Sequence, residues 1–344
     1  MLIDYLLVGI MCLLLTVILT PVVIIVARKV GAIDYPGEER RVHSKPIPRL
    51  GGVAMYLAFV ITTLYFLPHT SSVNGLLLGA TVILAVGIYD DIKGVSPKAK
   101  LLGQIASAAV LLFFGYQIQS LTLPVIGPLN FIAPWGYVFV ILWVVSLINT
   151  VNLTDGLDGL AAGICFGACM VLLVSAVKIR SFQEAYLMAA LAGCCLGFLF
   201  FNFHPAKVFM GDSGSMFLGF ILAGVSVTGL LKTPALFGLV LPLLALGMPI
   251  FDMTFAVIRR KWKGQPISLA DRGHFHHRLL DMGLSHREAV LALYLLSATL
   301  GGAALFASVD NWRWAIILTV TVGMILVSLL LGKNANTARR SSGK

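Results

Sequence analysis

Two adjacent carboxylates, Asp90 and Asp91, close an apolar run in the segment Gly87-Ile-Tyr-Asp90-Asp91-Ile-Lys93-Gly94, and Lys98 and Lys100 follow before the next run. Neighbouring carboxylates repel unless a cation sits between them, so metal binding or base chemistry is expected here, whereas a single Asp would do no more than cap a helix. A second cluster, Asn149-Thr-Val-Asn152-Leu-Thr-Asp155-Gly156-Leu-Asp158-Gly159, packs amides, carboxylates and glycines together without a lysine. Its oxygens suit a hard cation or sugar hydroxyls, and glycine lets a backbone approach a ligand, although an ordinary turn favours the same residues. The third cluster, Phe201-Asn-Phe-His204-Pro-Ala-Lys207-Val-Phe209-Met-Gly211-Asp212-Ser213-Gly214-Ser215, ends in a turn suited to a helix start. Amides at a helix start favour phosphate, and an Asp beside them can hold the metal that the phosphates also bind; as a plain cap, Asp212 would need no ligand.

Two basic segments accompany these clusters. In Arg40-Arg41-Val-His43-Ser-Lys45-Pro46-Ile-Pro48-Arg49-Leu-Gly51-Gly52 the prolines stiffen the chain, which suits a shaped lip over a site as well as a topology signal. The last loop runs from Arg259-Arg-Lys-Trp-Lys263 to Asp271-Arg272-Gly-His274-Phe-His276-His277-Arg278. Its histidines invite a zinc reading, but no cysteine or carboxylate accompanies them at a structural-zinc spacing, so anion contacts fit better.

The elements that must position these residues are membrane helices. Of the 344 residues, 58% are hydrophobic and 12% charged, against roughly 45–50% and about 25% in soluble domains. Apolar runs approaching the ~20 residues that cross a bilayer recur from end to end, so residues 1–344 are expected to form one all-α polytopic domain. Eleven spans are expected, at 5–27, 50–67, 74–90, 99–116, 135–150, 158–177, 184–203, 213–231, 234–258, 289–307 and 312–331. The first lacks a basic leader and a small-residue cleavage site, so it reads as a retained helix. With the N-terminus outside and the C-terminus cytoplasmic, cytoplasmic segments hold 21 of the 25 Lys and Arg residues, and only Lys178, Arg180, Lys232 and Arg313 face outward. The net charge of +10 thus reports orientation and not nucleic-acid binding.

Asp90, Asp91, Asp155, Asp158, Asp212 and Asp252 then all lie near cytoplasmic helix ends, where a charge costs far less than at the midplane, and five loops converge on one wet face. All five cysteines fall inside apolar runs as small hydrophobes. Residues 117–134 carry the turn residues of a short outer hairpin, and 333–344 reads as a flexible basic tail near anionic lipid.

The order His-Ser-Lys-Pro-Ile-Pro-Arg-Leu-Gly-Gly, Asp-Asp, Asn-Leu-Thr-Asp-Gly-Leu-Asp-Gly, Val-Phe-Met-Gly-Asp-Ser-Gly-Ser and His-Phe-His-His resembles the polyprenyl-phosphate N-acetylhexosamine-1-phosphate transferases over residues 28–288. The resemblance implies a multi-pass plasma-membrane enzyme with its active site on the cytoplasmic face, using a UDP-N-acetylhexosamine and undecaprenyl phosphate. It implies that Asp212 binds Mg²⁺, or Mn²⁺ in its place, with Asn152 as a second ligand. Lys100 would meet the pyrophosphate, Asp90 or Asp91 the acceptor phosphate, and Asp155 and Asp158 the nucleoside. Phe209 would stack on uracil, and Arg272, His274, His276 and His277 would meet the diphosphate or sugar, with Lys45 and Asn149 as further substrate contacts. A homodimer is compatible with the family.

The His-x-His-His pattern looks like the branch that makes lipid-linked GlcNAc for O-antigen, enterobacterial common antigen or teichoic acid. The related phospho-MurNAc-pentapeptide translocases usually carry three consecutive histidines, whereas Phe275 interrupts them here. Lys93 also comes one residue early for the translocase pattern Asp-Asp-x-x-Lys, which leaves Lys100 as the preferred lysine. In-line attack by the acceptor phosphate and a covalent aspartyl-phosphate route are both open at this point. A secondary transporter would place broken helices and ionisable groups at the midplane, often in repeated halves, and a noncatalytic scaffold would not need acids and histidines converging on one face.

Overall fold

The computed structural model describes residues 2–36, 46–118, 120–123, 127–230, 240–262, 264, 275–307, 311 and 313–324. Lys45, Arg272, His274, the side chain of His276 and the tail 333–344 lie outside the described residues. The chain is an all-α integral membrane protein. Its helices are α1 (Leu2–Val30), α2 (Gly51–Phe66), α3 (Ser71–Lys93), α4 (Pro97–Phe113), α5 (Ala133–Thr154), α6 (Leu160–Lys178), α7 (Phe182–Asn202), α8 (Gly211–Val225), α9 (Val240–Ala245), α10 (Gly247–Trp262), α11 (Phe275–Asp281), α12 (His286–Ala307) and α13 (Arg313–Met324). A π-helical turn, Ser226–Leu230, extends α8.

Seven of these helices are long and apolar enough to cross a membrane: α1, α3, α5, α6, α7, α8 with its extension, and α12. Four of the eleven expected spans are shorter among the described residues. α2 and α10 have 16 residues and α4 has 17; at 1.5 Å per residue such helices cover about 24–26 Å. The expected 234–258 span is broken at Leu246. The cause is local: Pro249 has no N–H to give the carbonyl of Ala245, so that rung is missing and the ladder resumes with Ile250 N to Leu246 O at 3.0 Å.

Two short hairpins complete the fold. β1 (Ile33–Asp34) pairs antiparallel with β2 (Ile47–Pro48), and β3 (Ser120–Leu123) with β4 (Gly127–Asn130), the latter within the expected outer hairpin. At the centre stands α8, buried from Ser213 to Val225 and packed by α3, α5 and α2, while α7 joins α1 to α6 and α6 packs on α12. α8 is apolar on all sides because all its neighbours are helices and none is lipid. Close approach sets its position. A Cβ on Gly87 of α3 would stand 2.5 Å from Ser213 Cα, so only glycine lets the end of α3 reach the start of α8.

Candidate active site

The chemistry-bearing residues occupy helix ends on a single face. Asp90 and Asp91 close α3, Lys100 opens α4, Asn152 closes α5, Asp158 precedes α6, Asn202 closes α7 and Asp212 opens α8. Alternating helices therefore deliver a C-terminus and then an N-terminus to the same level.

Asp91 and Asp212, far apart in sequence, are held together by backbone. The buried Asp91 carboxylate accepts from Asp212 N at 2.9 Å, Ser213 N at 3.0 Å and Ser213 Oγ at 2.7 Å. It caps α8 from another helix, satisfying amides that a helix start leaves without partners. Gly211 makes room for this: its φ is +71°, and a Cβ there would lie 2.4 Å from Asp91 Oδ2. Asp91 is thus occupied in aiming its neighbour, and Arg49 Nη2 stands 3.7 Å from its Oδ1.

The Asp212 carboxylate borders the cleft. Its Oδ2 accepts from Lys100 Nζ at 2.9 Å, its Oδ1 accepts from Asn152 Nδ2, and Asn152 Nδ2 also reaches Ser215 Oγ at 2.9 Å. The same Lys100 ammonium pairs with Asp90 Oδ2, while Asp90 Oδ1 accepts from Val95 N at 2.7 Å and fixes the turn into α4. One ammonium therefore bridges Asp90 and Asp212.

Asp155 follows α5 beside this group. Burial pushes its carboxyl up to about 8, and the charges of Asp212 and Asp91 add to the shift. Asp90, Asp91 and Asp212 around Lys100 form a set of oxygen donors, the ligand type that a hard divalent ion prefers. Asn152 touches Asp212 through its amide nitrogen; turning that amide over would present an oxygen in its place. The residues fit a Mg²⁺-type ion at Asp212 with Asn152 beside it.

A cleft of about 720 Å³ opens from this group, lined by Asn152, Asp155, Asp158, Phe209 and Asp212 among others. Phe209 is held at its wall by pairing with the first loop: Phe209 N donates to Pro48 O at 2.8 Å, and Gly51 N donates to Phe209 O at 3.0 Å. Arg49 and Phe209 thus form a parallel bridge, with the carbonyl of Pro48 as one of its acceptors. Asn202 braces the other side, accepting from Gly159 N at 3.0 Å and donating to Val208 O at 2.9 Å.

Asn149, expected as a substrate contact, lies in a hydrogen-bonded pair between α4 and α5. Its amide exchanges hydrogen bonds with Gln104, Nδ2 to Oε1 at 2.7 Å and Nε2 to Oδ1 at 3.3 Å, and donates to Val145 O at 2.8 Å. Both polar ends are consumed between α4 and α5, where an unpaired amide is costly, and Asn149 does not line the cleft. His277 lies on α11, whose start is tied to α10 by Phe275 N donating to Asp252 Oδ1 at 2.9 Å.

The cleft also gathers Arg28, Arg49, His204, Lys207 and His286, to which the sequence reading gave no role. Arg49, His204 and Lys207 stood inside quoted motifs. His286 opens a helix on the same basic side, and that placement was its only signal.

The family model for glycosyl transferase family 4 matches residues 73–230, from α3 through α8 and its extension. The chain is 41% identical to a probable undecaprenyl-phosphate N-acetylglucosaminyl 1-phosphate transferase of Bacillus subtilis (strain 168), over 83% of this chain and 80% of that protein. It belongs to the polyprenyl-phosphate N-acetylhexosamine-1-phosphate transferase family. Two further relatives match at lower identity. A decaprenyl-phosphate N-acetylglucosaminephosphotransferase of Mycobacterium leprae is 35% identical over 84% of this chain and 80% of its own length. A phospho-N-acetylmuramoyl-pentapeptide-transferase of Desulfotalea psychrophila is 33% identical over 77% and 80%.

Proposed function

We propose that this transferase moves GlcNAc-1-phosphate from UDP-GlcNAc to undecaprenyl phosphate and releases UMP, as the first membrane step of a cell-envelope polysaccharide. The observation that carries this reading is Asp212 at the start of α8, aimed by Asp91, joined to Lys100 and Asn152, and opening on a cleft that also holds Phe209. The names of the relatives in Bacillus and Mycobacterium support GlcNAc over the pentapeptide-bearing sugar.

Bringing a lipid phosphate against a sugar diphosphate concentrates negative charge, so neutralising it is the principal catalytic task. Lys100 meets the diphosphate, and Asp90, sharing that ammonium, orients the acceptor phosphate. Asp155 and Asp158 lie along the nucleoside, and Phe209 stacks on its base. A Mg²⁺ ion held by Asp212 and Asn152 would supply further charge neutralisation and orient the diphosphate. Arg272, His274, His276 and His277 complete the sugar end in this reading.

The chain crosses the membrane eleven times with its N-terminus outside and the cleft on the cytoplasmic face of the plasma membrane. Support comes from the 21 of 25 basic residues on that side and from counting α2, α4, α9 with α10, and α13 as crossings beside the seven longer helices. Helices of about 24–26 Å fall short of a hydrocarbon core of about 30 Å, and local thinning of the bilayer makes up the difference.

Two results test the reading. Purified protein given radiolabelled donors, undecaprenyl phosphate and Mg²⁺ should make lipid product from UDP-GlcNAc and none in excess EDTA; preferential use of the pentapeptide donor would reverse the assignment. In Phe209→Ala, KM for the donor should rise about tenfold with kcat little changed, because base stacking, worth about 1–3 kcal/mol, stabilises ground and transition states alike. A collapsed kcat at constant KM would remove Phe209 from the base-stacking role.

A further inference from the structure

Asp158, His204 and His286 each offer one ligand atom, and these atoms lie within 4.8 Å of one another. The His204 and His286 rings are stacked, with centroids 4.1 Å and planes 18° apart, and His204 Nδ1 stands 2.7 Å from Asp158 Oδ2. Arg287 donates from Nε and Nη2 to the His204 carbonyl at 3.2 and 3.0 Å, fastening this loop to the start of α12. His286 lines the cleft, with its ring against His204 and the backbone of Asp158 beside it.

We propose that Asp158, His204 and His286 form a binding site for a borderline transition-metal ion such as Zn²⁺ or Co²⁺, separate from the oxygen-donor group around Asp212. Two imidazoles and one carboxylate select such an ion over Mg²⁺. Three protein ligands leave a fourth position, which faces the cleft. Bonds of about 2.0–2.2 Å in a tetrahedral site put ligand atoms about 3.4 Å apart, so the triad tightens on binding. The stacked rings must also splay, because lone pairs in two nearly parallel planes do not meet at one point. His286 turns from the Asp158 backbone toward the ion, and His204 exchanges its contact with the Asp158 carboxylate for a shared ion.

The test uses full-length protein in detergent, stripped with EDTA, returned to excess Mg²⁺ to fill hard-cation sites, and titrated with Co²⁺ while the visible absorption is recorded. One equivalent should bind, with a spectrum of nitrogen and oxygen ligands. His286→Gln and His204→Gln should each weaken binding about tenfold or more, whereas Asp212→Asn and the triple variant His274→Gln/His276→Gln/His277→Gln should leave it unchanged. X-ray absorption of the Zn²⁺-loaded wild type requires no variant to fold, and should count two imidazoles. No saturable Co²⁺ binding, binding that survives both single histidine changes in folded protein, a different imidazole count, or loss confined to Asp212→Asn or the triple variant overturns the proposal. Metal titration does not depend on sugar transfer, so a wrong donor assignment leaves this result intact.

Discussion

Asp212→Ala is expected to lower kcat about 10³-fold or more while the protein stays folded in detergent. This carboxylate is the meeting point of Lys100 and Asn152. Without it, Lys100 is drawn to Asp90 alone and Asn152 keeps its contact with Ser215. Losing one positioned group in an electrostatic site commonly costs about 10²–10³-fold, and this loss would also remove the anchor of the divalent ion. Lipid product formed at saturating Mg²⁺ measures the effect, with size-exclusion chromatography as the check on folding. Turnover near the wild-type rate would remove Asp212 from the centre of the mechanism.

The second large effect separates two neighbours of identical chemistry. Asp91→Ala should destabilise the protein by roughly 2–5 kcal/mol, because three buried donors lose their acceptor and each unsatisfied group costs about 1–3 kcal/mol, partly relieved by rearrangement. Asp90→Asn should leave thermal stability almost unchanged and reduce turnover, since Asp90 shares Lys100 with Asp212 and still offers an oxygen to Val95 N. Asp91→Asn should fall between them, retaining one acceptor oxygen for the start of α8. Thermal unfolding in detergent, followed beside activity, reads both quantities. Equal stability of the Asp90 and Asp91 variants would show that the cross-helix cap does not hold Asp212 in place.

The difference between those two residues was not legible in the sequence, where Asp90 and Asp91 are one motif. Residues one apart on a helix point about 100° from each other, and only the position of α8 decides which carboxylate it receives. The surroundings of Asn149 were illegible for a related reason. It sits one helical turn from Asn152 and has the same chemistry, yet its partner Gln104 lies on another helix. What could be read was the level of each residue along the membrane: apolar run lengths put Asp90, Lys100, Asn152, Asp158 and Asp212 at helix ends, and basic loops put those ends on one side. The break at Leu246 was readable in principle from Pro249, but the surrounding apolar run concealed it.

The cap on α8 also has a consequence for the order in which the molecule is made. Asp91 and Asp212 are 121 residues apart, Lys100 and Asp212 are 112 apart, and the first loop meets Phe209 across a still longer stretch of chain. Contacts at such separation form late and carry a large loop-closure cost. During synthesis, α3 and α5 therefore enter the membrane with Asp91 and Asn152 still without their α8 partners, although Asp90 already has Lys100 and Val95 within reach. An N-terminal fragment ending before residue 211 would contain the acid pair, the lysine and the Asn-rich turn, but no assembled site.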